Sequence, residues 1–280
     1  MIRFPSHRIS LLQEIDLDEE QYLMGFLHKL RVEKTDITFS RLRKLHNHCL
    51  DVRFILHDIA LIVMRINEDC KRVNRREELF DVATKHDRVW TSDEEDEVEN
   101  LRYAVAYLNL DVRTLLVNIT VFMDALSKFL SWTIKTDNQL SSKSFAHFKK
   151  DIEKYEGKEV QKIKHILIQK TQWFKEIKDL RDSFILHHAA ARSGLEILDG
   201  ETYIPLTTSK GGFPEGRIFN NAVAKTFKMK NLDGLLSDIK SLLKYLNSFL
   251  SGQIDKIPFE AKTIVEDKTP TRKITENSNE

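Results

Sequence analysis

Ten apolar positions in one unbroken register constrain this chain more than any other feature. Leu42, Leu45, Cys49, Val52, Leu56, Ile59, Val63, Ile66, Cys70 and Val73 alternate spacings of three and four residues. An α-helix returns such positions to one face, so the spacing predicts a helix of about 50 Å. Leu50, Phe54, Ile55, Leu61 and Ile62 widen that face. A wide apolar face favours burial in a bundle over an exposed two-stranded coil. With only 9 Gly and 5 Pro in 280 residues, little interrupts helices elsewhere. The expected fold class is all-α in the main: a helical bundle with one long heptad-patterned helix and a small β-hairpin near the C-terminal third.

The remaining elements follow from the same periodicities. Residues 16–32 read as a first helix, with Asp16, Asp18, Glu19 and Glu20 at its start and Lys29 and Arg31 at its end. That charge order complements the helix macrodipole. Ser40 is the expected N-cap of the long helix, and residues 77–90 are expected to add a short helix ending near Trp90. The acidic run Ser92-Asp93-Glu94-Glu95-Asp96-Glu97-Val98-Glu99 suits a solvated loop and helix N-terminus better than a partner-binding tail. Leu101, Val105, Leu108, Val112, Leu115, Ile119, Phe122, Leu126 and Phe129 then mark a helix to about Ile134. Residues 145–155 form a helix ended by Gly157, and 158–191 another, with a break near Thr171. Asp199-Gly200 between two β-rich runs predicts a hairpin over 195–206. Residues 231–250 make a last amphipathic helix, and the polar chain beyond Lys256 is expected to lack structure.

Bulk properties narrow the function classes. A formal charge of +1 gives no global pull toward nucleic acid, so any RNA contact needs a local patch. Lys143, Lys149, Lys150, Lys154, Lys158, Lys162, Lys164 and Lys170 supply one stretch able to steer a polyanion. Cys49 and Cys70 lie three heptads apart, about 30 Å along one helix, and cannot pair within it. A reducing, cytoplasmic compartment is the simple expectation. The N-terminus has no signal-peptide run. Residues 55–66, the most apolar stretch, are too short and charge-interrupted to span a membrane, so no membrane association is expected.

Chemistry concentrates at Arg181-Asp182-Ser183-Phe184-Ile185-Leu186-His187-His188. At about 100° per residue, His188 returns nearly to the face of Arg181, whereas His187 is rotated roughly 120° from it. A guanidinium holds phosphate through a planar fork of donors, and an imidazole exchanges a proton near neutral pH. Around one phosphodiester these groups could cleave RNA without a metal. On spacing alone, surface or interhelical ion pairs and incidental histidines explain the segment better, since helical Arg and His pairs are common.

The segment Leu180 to His188 resembles the signature of HEPN domains, in which an arginine, usually followed by a polar residue, precedes a histidine by four to six intervening positions. His187 fits with five intervening residues and His188 with six. The upstream stretches Tyr107-Leu108-Asn109-Leu110-Asp111-Val112 and Phe122-Met123-Asp124-Ala125-Leu126 resemble the partner helix of bacterial HEPN-like proteins, which carries a polar or acidic position facing the motif. The likeness covers roughly residues 100 to 195. It departs at Asp182, where many members have asparagine; a negative charge there opposes phosphate binding.

The resemblance implies a helical domain, often a homodimer whose two motifs meet in a cleft. Such proteins act as ribonucleases in bacterial toxin–antitoxin, defence or stress systems; some relatives only bind nucleotides or proteins. On transfer, Arg181 would hold phosphate, and His187 or His188 would act as base or acid. Asp111, then Asp124, are the candidate supporting carboxylates. The chain then divides into an N-terminal helical region (1–99), the HEPN-like core (100–195), the hairpin with the last helix (196–256), and the tail (257–280).

Other constellations are weaker. His46 and His48 point about 160° apart on a helix, and His57-Asp58 and His86-Asp87 lack a further ligand at suitable spacing. No metal and no cofactor are therefore expected, and no nucleophile elbow, zinc-type cysteine pair or dinucleotide fingerprint occurs. Two functions remain: a metal-independent endoribonuclease, homodimeric and with RNA as substrate, or a non-catalytic helical scaffold or nucleotide- or partner-binding module.

Overall fold

A computed structural model of the chain describes residues 23–34, 36–86, 91–136, 140, 143–182, 196–198, 201–206, 225–228 and 231–264. The fold is all-α in the main. Its helices are α1 (Met24–Glu33), α2 (Phe39–His86), α3 (Ser92–Thr133), α4 (Phe145–Ile152), α5 (Lys158–Lys170), α6 (Gln172–Arg181) and α7 (Asn231–Ser251). The strands are β1 (Ile134–Lys135), β2 (Tyr155–Glu156), β3 (Glu196–Leu198), β4 (Glu201–Leu206), β5 (Lys225–Lys228), β6 (Phe259–Glu260) and β7 (Lys262–Thr263).

Helix α2 is the heptad helix, and at 48 residues it is about 70 Å long. Its predicted stripe is the buried one: Leu45, Cys49, Val52, Leu56, Ile59, Val63, Ile66 and Cys70 all lie in the core. Helix α2 runs on unbroken to His86, so the separate short helix expected over 77–90 does not form. No glycine or proline interrupts this stretch, and nothing forces a stop before His86. Burial pushes the Cys49 and Cys70 thiols up to about 12, and neither forms a disulfide.

Helix α3 returns alongside α2. The Arg65–Asp111 ion pair joins positions equidistant in sequence from residue 88, as an antiparallel hairpin of helices requires. The acidic run is the start of α3. Thr91 accepts from Glu94 N while the Glu94 carboxylate accepts from Thr91 N, closing a capping box. Asp93, Glu94 and Glu95 in the first turn face the positive end of the dipole. Leu108, Val112, Leu115, Ile119, Phe122, Leu126 and Phe129 are buried, as the spacing predicts. Between Ala106 and Thr133, α3 is long and apolar enough to cross a membrane by length and composition, a longer stretch than residues 55–66. Over half of it is buried within the protein, as suits the central helix of a bundle.

The other helices cover this pair. Phe145, Phe148 and Ile152 of α4, Val160, Ile163 and Leu167 of α5, and Leu235, Ile239, Leu242, Leu243, Leu246 and Leu250 of α7 join one continuous core. Helix α1 is tied in by the edge-on contact of Phe26 with Phe129 and by Phe26 N donating to Asn247 Oδ1 (3.2 Å). Residues 99 and 100, where the N-terminal helical region and the HEPN-like core are expected to meet, both lie within α3. The start of the first expected helix, residues 16–22, lies outside the described residues.

The hairpin forms as β3 and β4, antiparallel, with Leu198 opposite Glu201 and Asp199 and Gly200 between them. A third strand, β5, adds to β4 in antiparallel register (Ile204↔Phe227). The tail is a correction: residues 257–264 are structured. β6 pairs in parallel with β1 (Ile134↔Phe259), and β7 pairs antiparallel with β2 (Tyr155↔Thr263). Ile257, Phe259 and Ala261 are buried, so apolar anchors hold this short return in place. Gly157 permits it: its φ is 157°, and a Cβ there would stand 2.8 Å from the Glu260 carbonyl oxygen.

Candidate functional site

Helix α6 begins after a break at Thr171, where the Thr171 amide still donates to the Leu167 carbonyl (3.1 Å). Trp173 Nε1 donates to the Lys170 carbonyl (2.8 Å), which fixes the corner. Phe174 and Ile177 then point into the core, Phe174 edge-on to Phe145. Arg181 lies four residues past Ile177 and seven past Phe174, so it continues the buried face of α6 at the helix's last turn. That placement explains why its side chain is only 22% exposed.

Asp182 meets Arg181 directly. Its Oδ1 accepts from Arg181 Nε at 2.9 Å and also from Nη2. One edge of the guanidinium is thereby occupied, and its plane is held. Among the described residues nothing pairs with the Nη1 edge. A phosphate oxygen approaching Arg181 would find donors there. It would also meet the Asp182 carboxylate, itself about a third exposed, whose charge opposes it. His187 and His188 lie outside the described residues, as do Ser183 to Leu186.

The two supporting carboxylates hold helices together instead of pairing with Arg181. Asp111 is 7% exposed and forms a bidentate pair with Arg65 of α2, Nε donating to Oδ2 at 2.9 Å and Nη2 to Oδ1. Asp124 Oδ1 accepts from Phe145 N (2.8 Å), satisfying a free amide in the first turn of α4, while Ser144 Oγ accepts from His147 N. Their position within an apolar helix named no partner for either. The partners in the structure, Arg65 and Phe145, are remote in sequence.

The lysine stretch is similarly divided. Lys164 Nζ donates to the Tyr155 carbonyl (2.6 Å), and burial lowers its pKa. Lys154 pairs with Asp151, Lys149 lies over the Phe145 ring and Lys170 over the Tyr245 ring at 3.9 Å. Lys143, Lys150, Lys158 and Lys162 are exposed and remain available for steering. One feature went unread in the sequence: the polar face of α7. Ser237, Lys240, Ser241, Lys244, Tyr245 and Ser248 line an open cleft of about 460 Å³. Their three-and-four spacing was visible as the complement of the apolar face. Among the described residues no group of three or more His, Cys, Asp or Glu side chains is placed to share a metal ion.

No known protein family, curated protein or solved structure matches the chain.

Proposed function

We propose that the chain is a HEPN-like helical protein that cleaves RNA without a metal, through Arg181 and one of His187 or His188, in a cytoplasmic toxin–antitoxin or defence setting. The observation that carries this reading is the half-buried Arg181, pinned by Asp182 along one edge and unpaired by any described residue along the other. A preorganised guanidinium is what a developing phosphorane charge needs. In the reaction, a neutral histidine removes the proton of a ribose 2′-hydroxyl. The 2′-oxygen attacks the adjacent phosphorus, and the bond from phosphorus to the 5′-oxygen breaks. The leaving oxygen takes a proton, giving a 2′,3′-cyclic phosphate and a 5′-hydroxyl end, with no change in oxidation state. Arg181 neutralises charge on the non-bridging oxygens throughout.

A second reading is favoured by Asp111 and Asp124, whose partners tie them into the fold. In that reading the protein is a non-catalytic scaffold or a nucleotide- or partner-binding module. One assay separates the two. Pure protein is incubated with RNA in EDTA beside Arg181→Ala, His187→Ala and His188→Ala. The nuclease reading expects cyclic-phosphate products from the wild type and a loss of roughly 10²–10³-fold in Arg181→Ala, with the more damaging histidine change naming the base. Absent cleavage, or equal cleavage by wild type and Arg181→Ala, leaves the scaffold reading.

A further inference from the structure

Helix α3 carries two heptad stripes, and only one is buried. On the face turned away from the core, Tyr103, Tyr107, Leu110, Thr114, Val117 and Val121 alternate spacings of four and three. The five apolar side chains among them are each 41% to 59% exposed. Thr114 Oγ1 donates to the Leu110 carbonyl (2.8 Å), so the aliphatic hydroxyl at the centre of the stripe is turned back onto its own helix. An exposed apolar seam of about 27 Å in heptad register is the surface one helix of a coiled coil offers another.

We propose that this seam docks on the same seam of a second copy, with the two α3 helices antiparallel about a dyad near position 112. Three features of the stripe select that occupant and that direction. The first is volume. Antiparallel pairing about residue 112 sets Tyr103 against Val121, Tyr107 against Val117 and Leu110 against Thr114, so each layer joins a larger side chain to a smaller one. A parallel pair would stack Tyr on Tyr at one end and Val on Val at the other, and no single interhelical distance fits both. The second is charge. The stripe extends to exposed Asp96 at one end and exposed Lys128 at the other. The antiparallel register brings Asp96 of each copy to Lys128 of its mate, whereas a parallel one would place two acidic runs, Asp93 to Glu99, side by side. The third is area. Five large side chains half exposed contribute roughly 500 Å² per copy, so the pair buries roughly 1,000 Å², the size a specific interface needs.

The proposal does not depend on RNA cleavage, and its test is hydrodynamic. Full-length protein is followed by sedimentation velocity from low to high micromolar concentration, with Leu110→Glu as the disrupting variant and circular dichroism to confirm that its helices are intact. A concentration-dependent dimer is expected, weakened roughly tenfold or more by a charge at the centre of the seam. Asp96→Lys alone should weaken it, and Asp96→Lys with Lys128→Asp should restore it. Direction is read by crosslinking, since Cys49 and Cys70 are buried. Tyr103→Cys mixed with Val121→Cys should form a disulfide-linked pair, and Tyr103→Cys alone should not. A wild-type monomer at every concentration overturns the proposal, as does a dimer indifferent to Leu110→Glu. Monomeric protein that binds phosphatidylcholine vesicles through Leu110 would instead assign the seam to a bilayer. Self-linking of Tyr103→Cys overturns the antiparallel arrangement.

Discussion

Two arginine–aspartate pairs in this protein are alike in chemistry and different in setting. Arg65 and Asp111 come from different helices, 46 residues apart, and the carboxylate is almost wholly buried. Arg181 and Asp182 are neighbours in the chain, and both are partly open to water. In the first pair Nε and Nη2 each meet their own oxygen, and the contact joins α2 to α3. In the second a single oxygen of the next residue along the chain takes the same two nitrogens. A buried pair between distant elements holds the fold; a local, partly exposed pair is the one that, under the proposed function, would orient Arg181 toward phosphate.

The largest expected effect comes from breaking the first pair. Arg65→Ala strands the Asp111 carboxylate against the core and should lower stability by about 2 kcal/mol. This is less than the 3–5 kcal/mol typical of fully buried pairs, because Arg65 itself is half in solvent. Urea denaturation measures it, and RNA cleavage per folded molecule should be unchanged. Arg181→Ala should reverse that pattern, costing no more than about 1 kcal/mol in the same titration while removing cleavage. Equal destabilisation by the two changes would abolish the distinction and make Arg181 a staple. The smallest effect is expected from Asp182→Asn, within about 0.5 kcal/mol in stability. With one negative charge gone beside the proposed phosphate position, RNA should bind more tightly. A filter-binding titration at several salt concentrations reads this; weaker binding would show that Asp182 serves phosphate by orienting Arg181 more than it opposes it by charge.

Legibility in the sequence depended on how local the deciding interaction was. The stripe from Leu42 to Val73 implied a long helix because periodicity needs no partner to be recognised, and the end of α2 at His86 lay further on than the pattern reached. The start of α3 was visible in its acidic run, though the Thr91–Glu94 capping box that fixes it was not read. Asp199-Gly200 marked the hairpin, while its third strand, β5, pairs across a longer interval and left no comparable signal. Residues 257–264 looked like tail because strands of two residues carry no pattern; their partners, Ile134 and Tyr155, lie more than a hundred positions away.

The candidate site divides along the same line. Arg181 and its neighbour could be named from the motif, and Arg181's half-burial follows from its i+4 and i+7 relation to Ile177 and Phe174. The roles of Asp111 and Asp124 could not, since a carboxylate in an apolar helix looks the same whether it faces a ligand, an arginine or a helix end. Sequence by itself determined the long helices and the register of their apolar faces, because each depends on residues within two turns of one another. Tertiary structure alone decided which carboxylates tie helices together and where residues 257–264 pair. Those outcomes depend on desolvation, and what is removed from water is set by the elements packed against it.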